Sequence, residues 1–87
     1  VVTVVLFPVR AVLDTGAGPN FVREDILPKD WERWRVPNIP LPRITNASGK
    51  QILAKGVIVL YVQLGTTVHR VRFYVAPGLA VPCILGC

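Results

Sequence analysis

An all-β fold, closed or sandwich-like, is what this sequence predicts. Short runs rich in Val, Ile and Leu recur along the chain, turn formers separate them, and only one stretch leaves room for a single helical turn. The 87 residues allow one small domain, and 52% hydrophobic content is too high for a disordered basic tail. A chain of this size buries only about 60% of its unfolded surface, so pairing with a second copy would stabilise it.

Val1–Leu6 and Val9–Leu13 are nearly continuous apolar runs on either side of Pro8, which predicts strands buried on both faces. Asp14-Thr15-Gly16-Ala17-Gly18-Pro19-Asn20 is a turn by composition. Phe21 and Val22 return as a short strand, and Arg23–Leu27 has room for one helical turn before Pro28. Pro28, Pro37, Pro40 and Pro42 remove backbone donors, so 28–42 reads as loop or edge strand. It carries both tryptophans, Trp31 and Trp34, and their partial exposure would mark a contact surface.

Asn46-Ala47-Ser48-Gly49 lies between Ile44 and Ile52, small turn formers flanked by apolar residues, which predicts a hairpin over Arg43–Gln51. Gly56–Leu64 is a further strand and Gly65-Thr66-Thr67 a turn. Val68–Val75 alternates with a period of two, as a half-exposed strand does. Pro77-Gly78 turns the chain again, and Pro82–Leu85 is a last short strand. No internal repeat or linker is visible.

Several chemistries are excluded. No apolar run approaches the roughly 20 residues that span a bilayer. Cys83 and Cys87 sit together at the end, unlike a disulfide scaffold, and fit a buried Cys83 beside an exposed Cys87 in a reducing, cytoplasmic setting. With His69 as the single histidine, zinc lacks a ligand set. Gly16-Ala17-Gly18 lacks the Gly-Lys-Ser/Thr ending of a phosphate loop. The net charge of +5, with Arg33, Arg35, Arg43, Arg70 and Arg72, raises nucleic-acid binding. Scattered aromatics and the absence of a recognition motif favour a solvated basic face instead.

Of five acids, Glu24, Asp25, Asp30 and Glu32 fall in a polar segment and are expected to be solvated. Asp14 instead ends an apolar strand and enters a glycine turn, where burial would favour its neutral form. Taken alone, Asp-Thr-Gly favours turn capping over catalysis. Two elements together change that balance. Leu13-Asp14-Thr15-Gly16-Ala17-Gly18 resembles the active-site loop of retropepsin-like aspartic proteases, those of retroviruses and LTR retrotransposons. Pro82-Cys83-Ile84-Leu85-Gly86 resembles the distal apolar-apolar-glycine strand that runs beside that loop. About seventy residues separate them, which suits a minimal protease subunit, and the Ile44–Ile52 hairpin lies where the family places its flap.

The resemblance implies an all-β, closed-barrel acid protease subunit with a flap hairpin and little helix. It implies one protease domain over residues 1–87, truncated at its C-terminal end, since relatives continue past Gly86 with a polar contact, a short helix and often an interface strand. Asp14 would be the catalytic acid, Thr15 would sit beneath the dyad and bond the partner loop, and Gly16 would leave room for the substrate backbone. Ala17 and Gly18 would line the cleft, Ser48 and Gly49 would form the flap tip, and Val81, Pro82 and Ile84 would wall apolar pockets. Asn20 stands where many relatives carry Ser or Thr. The chain has one Asp-Thr-Gly, and this chemistry needs two carboxylates sharing a proton. A homodimer acting on extended polypeptide, such as its own retroelement polyprotein, follows, with no metal or cofactor. The alternative within the same fold is a catalytically silent dimerisation or peptide-binding module.

Overall fold

The computed structural model describes residues 11–13, 19–45 and 49–86. Seven strands lie within them: β1 (Ala11–Leu13), β2 (Phe21–Arg23), β3 (Arg43–Thr45), β4 (Gln51–Leu53), β5 (Gly56–Leu64), β6 (Thr67–Ala76) and β7 (Cys83–Leu85). Helix among the described residues is confined to two 3-10 segments, Glu24–Ile26 and Trp31–Trp34. The fold is therefore mostly β, as the strand-and-turn pattern predicts. Val1–Leu6, expected as the first strand, the start of the Val9–Leu13 strand, and Cys87 lie outside the described residues.

The expected closure into a barrel is not drawn by these strands. Five form an open sheet in the order β1-β7-β2-β6-β5, and β3 with β4 form a separate antiparallel ribbon. Among the described residues β1 and β5 are the two edges and do not pair with each other. Part of the β5 edge is occupied otherwise: the Val36 N–H donates to the Val57 C=O at 2.8 Å.

The sheet mixes directions around its centre. β2 runs parallel to β6 and antiparallel to β7, while β1 runs parallel to β7 with Ala11, Val12 and Leu13 opposite Cys83, Ile84 and Leu85. Because side chains alternate across a strand, the sheet has two apolar faces. One carries Val22, Ile58, Phe73, Val75, Cys83 and Leu85, joined by Leu27 and Trp31 in the larger core. The other carries Phe21, Tyr74, Ala76 and Ile84, on which Ile44, Ile52 and Leu79 pack. Burial on both sides is why β2 and β7 are nearly continuous apolar runs. The same inference fails at β1. Ala11 is exposed, and so is Leu13, at 78%. Among the described residues β1 has a neighbouring strand on one side only, so apolar composition does not secure its burial.

The proline-rich segment is more ordered than a loop reading implies. Its N–H groups bond three residues back, Trp31 to the Pro28 C=O at 3.0 Å and Arg33 to the Asp30 C=O at 3.1 Å. Trp31 is 3% exposed and belongs to the larger core, whereas Trp34 is 43% exposed. Only Trp34 is therefore free to form a contact surface. Gly56 permits this docking: a Cβ there would lie 2.7 Å from Arg35 Cδ and 3.2 Å from Trp31 Cζ3.

Candidate active site

The strand β1 ends at Leu13 and delivers the chain to Asp14. Its partner β7 ends at Leu85, directly opposite Leu13, and leads to Gly86. The strand that leads into the Asp14 motif and the strand of the distal motif, about seventy residues apart, are thus parallel neighbours. β2 lies on the other side of β7, with Phe21 opposite Ile84 and Val22 opposite Cys83. The loop that starts after Leu13 consequently leaves and returns on either side of β7.

Asp14, Thr15, Gly16, Ala17, Gly18 and Ser48 lie outside the described residues, so their expected roles pass to the proposal below. The described candidates divide into three groups. Gly49 is exposed at the end of the β3–β4 ribbon with φ near 81°, a left-handed backbone that favours glycine, and nothing lies within 4 Å of where a Cβ would stand. The ribbon itself pairs Ile44 with Ile52, as a hairpin over this segment requires. Ile84 is half-buried and packs in the smaller apolar cluster with Phe21, Ala76, Leu79 and the ribbon's Ile52. Val81 and Pro82 are half-buried on the connection into β7 and belong to neither apolar cluster. The structure thus joins Ile84 to the ribbon and leaves Val81 and Pro82 beside it.

An open hollow of about 520 Å³ lies between β4 and the Pro77-Gly78 turn. Ile52, Leu53 and Ala54 line it, with Lys50 and Lys55 among its lining residues. It adjoins the ribbon but includes none of Val81, Pro82 and Ile84.

Residues 6–87 match the family model described as aspartyl protease. The chain belongs to the aspartyl protease family. The branch is the retropepsin-like one, and the family's activity is that of an aspartic-type peptidase. No curated protein and no solved structure matches the chain significantly.

Within this aspartyl protease, three polar residues tie the elements around β2 together, and the sequence alone assigned a structural partner to none of them. Asn20, the end of the Asp14 turn, has its side-chain Oδ1 accepting the Gly86 N–H at 2.8 Å and its Nδ2 donating to the Arg72 C=O at 3.1 Å. Arg23 donates its backbone N–H to the Pro82 C=O at 2.8 Å and its Nη1 to the Leu79 C=O at 3.4 Å, stitching β2 to the connection that carries Val81 and Pro82. Glu24, expected to be solvated, instead pairs with Lys55 at 2.9 Å and accepts the Trp31 indole N–H at 3.3 Å. The Lys55 hydrogen bond is the main cause holding the Glu24 carboxyl below its ordinary range, with desolvation opposing it. The remaining acids of that segment, Asp25, Asp30 and Glu32, are exposed as expected. A side chain with both donor and acceptor at the exit of a tight turn is the signal that would have found Asn20. Its partners lie 52 and 66 residues away, which no local pattern encodes.

Proposed function

We propose that residues 1–87 form one subunit of a homodimeric aspartic endopeptidase, with Asp14 of each chain supplying half of a two-carboxylate dyad. The observation that carries this reading is the parallel register setting Leu13, before Asp14, opposite Leu85, before Gly86. The chain offers one Asp-Thr-Gly, so a second acid must come from a second copy. The exposure of Leu13 supports the same reading, since an apolar side chain next to the acid gains from being covered in a two-fold contact.

The chemistry follows from two carboxyls that share one proton, because like charges at close range cannot both ionise. The ionised one takes a proton from water, and the water oxygen attacks the peptide carbonyl carbon. The protonated one gives its proton to the carbonyl oxygen. Collapse of the tetrahedral adduct breaks the C–N bond and returns a proton to the departing amine. Thr15 holds the two loops together, and Gly16, Ala17 and Gly18 leave space for an extended substrate backbone. Ser48 and Gly49 close over it and exclude water. The substrate binds as an added strand, and Val81, Pro82 and Ile84 select apolar side chains. Such specificity suits processing of a retroelement polyprotein.

The test is cleavage of apolar peptides at mildly acidic pH. Activity blocked by a statine-type inhibitor and abolished by Asp14→Asn supports the reading. Peptide binding without cleavage by the wild type assigns the fold to a silent binding module instead.

A further inference from the structure

The residues that flank the Asp14 segment, Leu13 before it and Asn20 after it, both bond to β7 or to the residue that follows it, and Asn20 does so with its side chain. Entry is fixed by backbone pairing of Leu13 with Leu85. Exit is fixed by Asn20, whose carboxamide oxygen accepts the Gly86 N–H at 2.8 Å, one residue past the end of β7. The carboxamide nitrogen donates to the Arg72 C=O at 3.1 Å, and the Asn20 backbone C=O accepts the Tyr74 N–H at 2.9 Å. One residue therefore bridges β7 and β6, the two strands flanking β2. A hydroxyl side chain offers a single oxygen on a shorter arm, whereas the amide presents an acceptor and a donor on separate atoms.

We propose that Asn20 is a positioning residue for peptide hydrolysis. It ties the chain six residues after Asp14 to Gly86 and to β6, and through that tether it supports the placement of the catalytic acid. This rests on the reading of Asp14 as the catalytic acid. The consequence is kinetic, because small displacements of reacting groups cost rate more than binding.

The experiment compares wild type, Asn20→Ala and Asn20→Asp for kcat and KM on an apolar peptide. Hydrogen exchange at the Gly86 amide is followed in the same proteins. Asn20→Ala is expected to lower kcat about tenfold or more while KM stays within about threefold, and to speed Gly86 exchange. In Asn20→Asp the introduced carboxyl is neutral below about pH 3.9 and then has one acceptor and one donor oxygen, like the amide. There its kcat is expected to return to within about threefold of wild type, and the ratio to wild type to fall as pH rises and the donor is lost. That ratio, read within one protein, stands in if Asn20→Ala does not fold. Wild-type kcat in Asn20→Ala, unchanged Gly86 exchange, or an Asn20→Asp ratio flat with pH overturns the proposal. A wild type with no activity sensitive to Asp14→Asn overturns the catalytic reading as well, and is distinguishable because it appears before any Asn20 variant is compared.

Discussion

The two faces of the central sheet are built from alternate residues of the same strands, yet they serve different ends. Val22, Phe73, Val75, Cys83 and Leu85 point into the larger core, where Ile58, Phe73 and Val75 are at most 1% exposed. Their sequence neighbours Phe21, Tyr74, Ala76 and Ile84 point the other way, where the cover among the described residues is the β3–β4 ribbon and Leu79. The first face is closed by the chain's own body, including Trp31. The second is closed by a two-stranded element, and Ile84 and Tyr74 remain half-buried beneath it. Burial by the described residues is thus deeper on one side of β2, β6 and β7, while Ile84 and Tyr74 on the other side stay partly open.

The largest effect that probes this contrast is removal of a ring from the closed face. Phe73→Ala is expected to cost about 3–5 kcal/mol, which approaches the whole stability of a domain this small. Denaturant unfolding reads it directly, and a loss below about 1 kcal/mol would mean that the face is not a packed core. Ile84→Ala on the open face is expected to cost less, at most about 2 kcal/mol, because the side chain is only half-buried. Its main effect should be a raised KM for apolar peptides. Equal destabilisation by the two substitutions would erase the contrast.

A smaller effect concerns the clamp that ties Trp31 to the sheet. Lys55 lowers the Glu24 carboxyl from its ordinary value of 4.5, so the native state holds that proton less tightly than the unfolded chain. The clamp's contribution is therefore present above pH 4.5 and is lost as pH falls through the lowered folded value. Glu24→Gln should remove this part of the acid sensitivity and leave neutral-pH stability only slightly reduced, as thermal melts across acidic pH would show. The smallest effect is chemical. Burial raises the Cys83 thiol above its ordinary value, so alkylation of Cys83 should wait on unfolding. Rapid labelling in the native state would place Cys83 off the closed face.

Much of this arrangement was legible in the residues. Gly56 and Gly65 bracket β5 as the sequence reading places it, and β6 exceeds its expected span by one residue at each end. The pairing of the Asp14 strand with the Ile84-Leu85 strand was legible through the two motifs and their separation. What escaped were features decided by distant partners. Trp31 enters the core because Glu24, Lys55 and Gly56 receive it, not because of any periodicity in its own four-residue segment. Leu13 stands exposed on a strand that, among the described residues, pairs on one side only, which hydrophobicity does not encode. Asn20 looked like an ordinary turn residue until Gly86 and Arg72 were beside it.

Subunit mixing tests the shared dyad most directly. Wild-type chains are refolded with a ninefold excess of Asp14→Asn chains, and peptidase activity per wild-type chain is measured. If each site needs Asp14 from both copies, random pairing leaves about one-tenth of the unmixed activity per wild-type chain. Activity per wild-type chain that stays at its unmixed value would mean that one copy suffices, and the account of a site completed across a two-fold axis would be wrong.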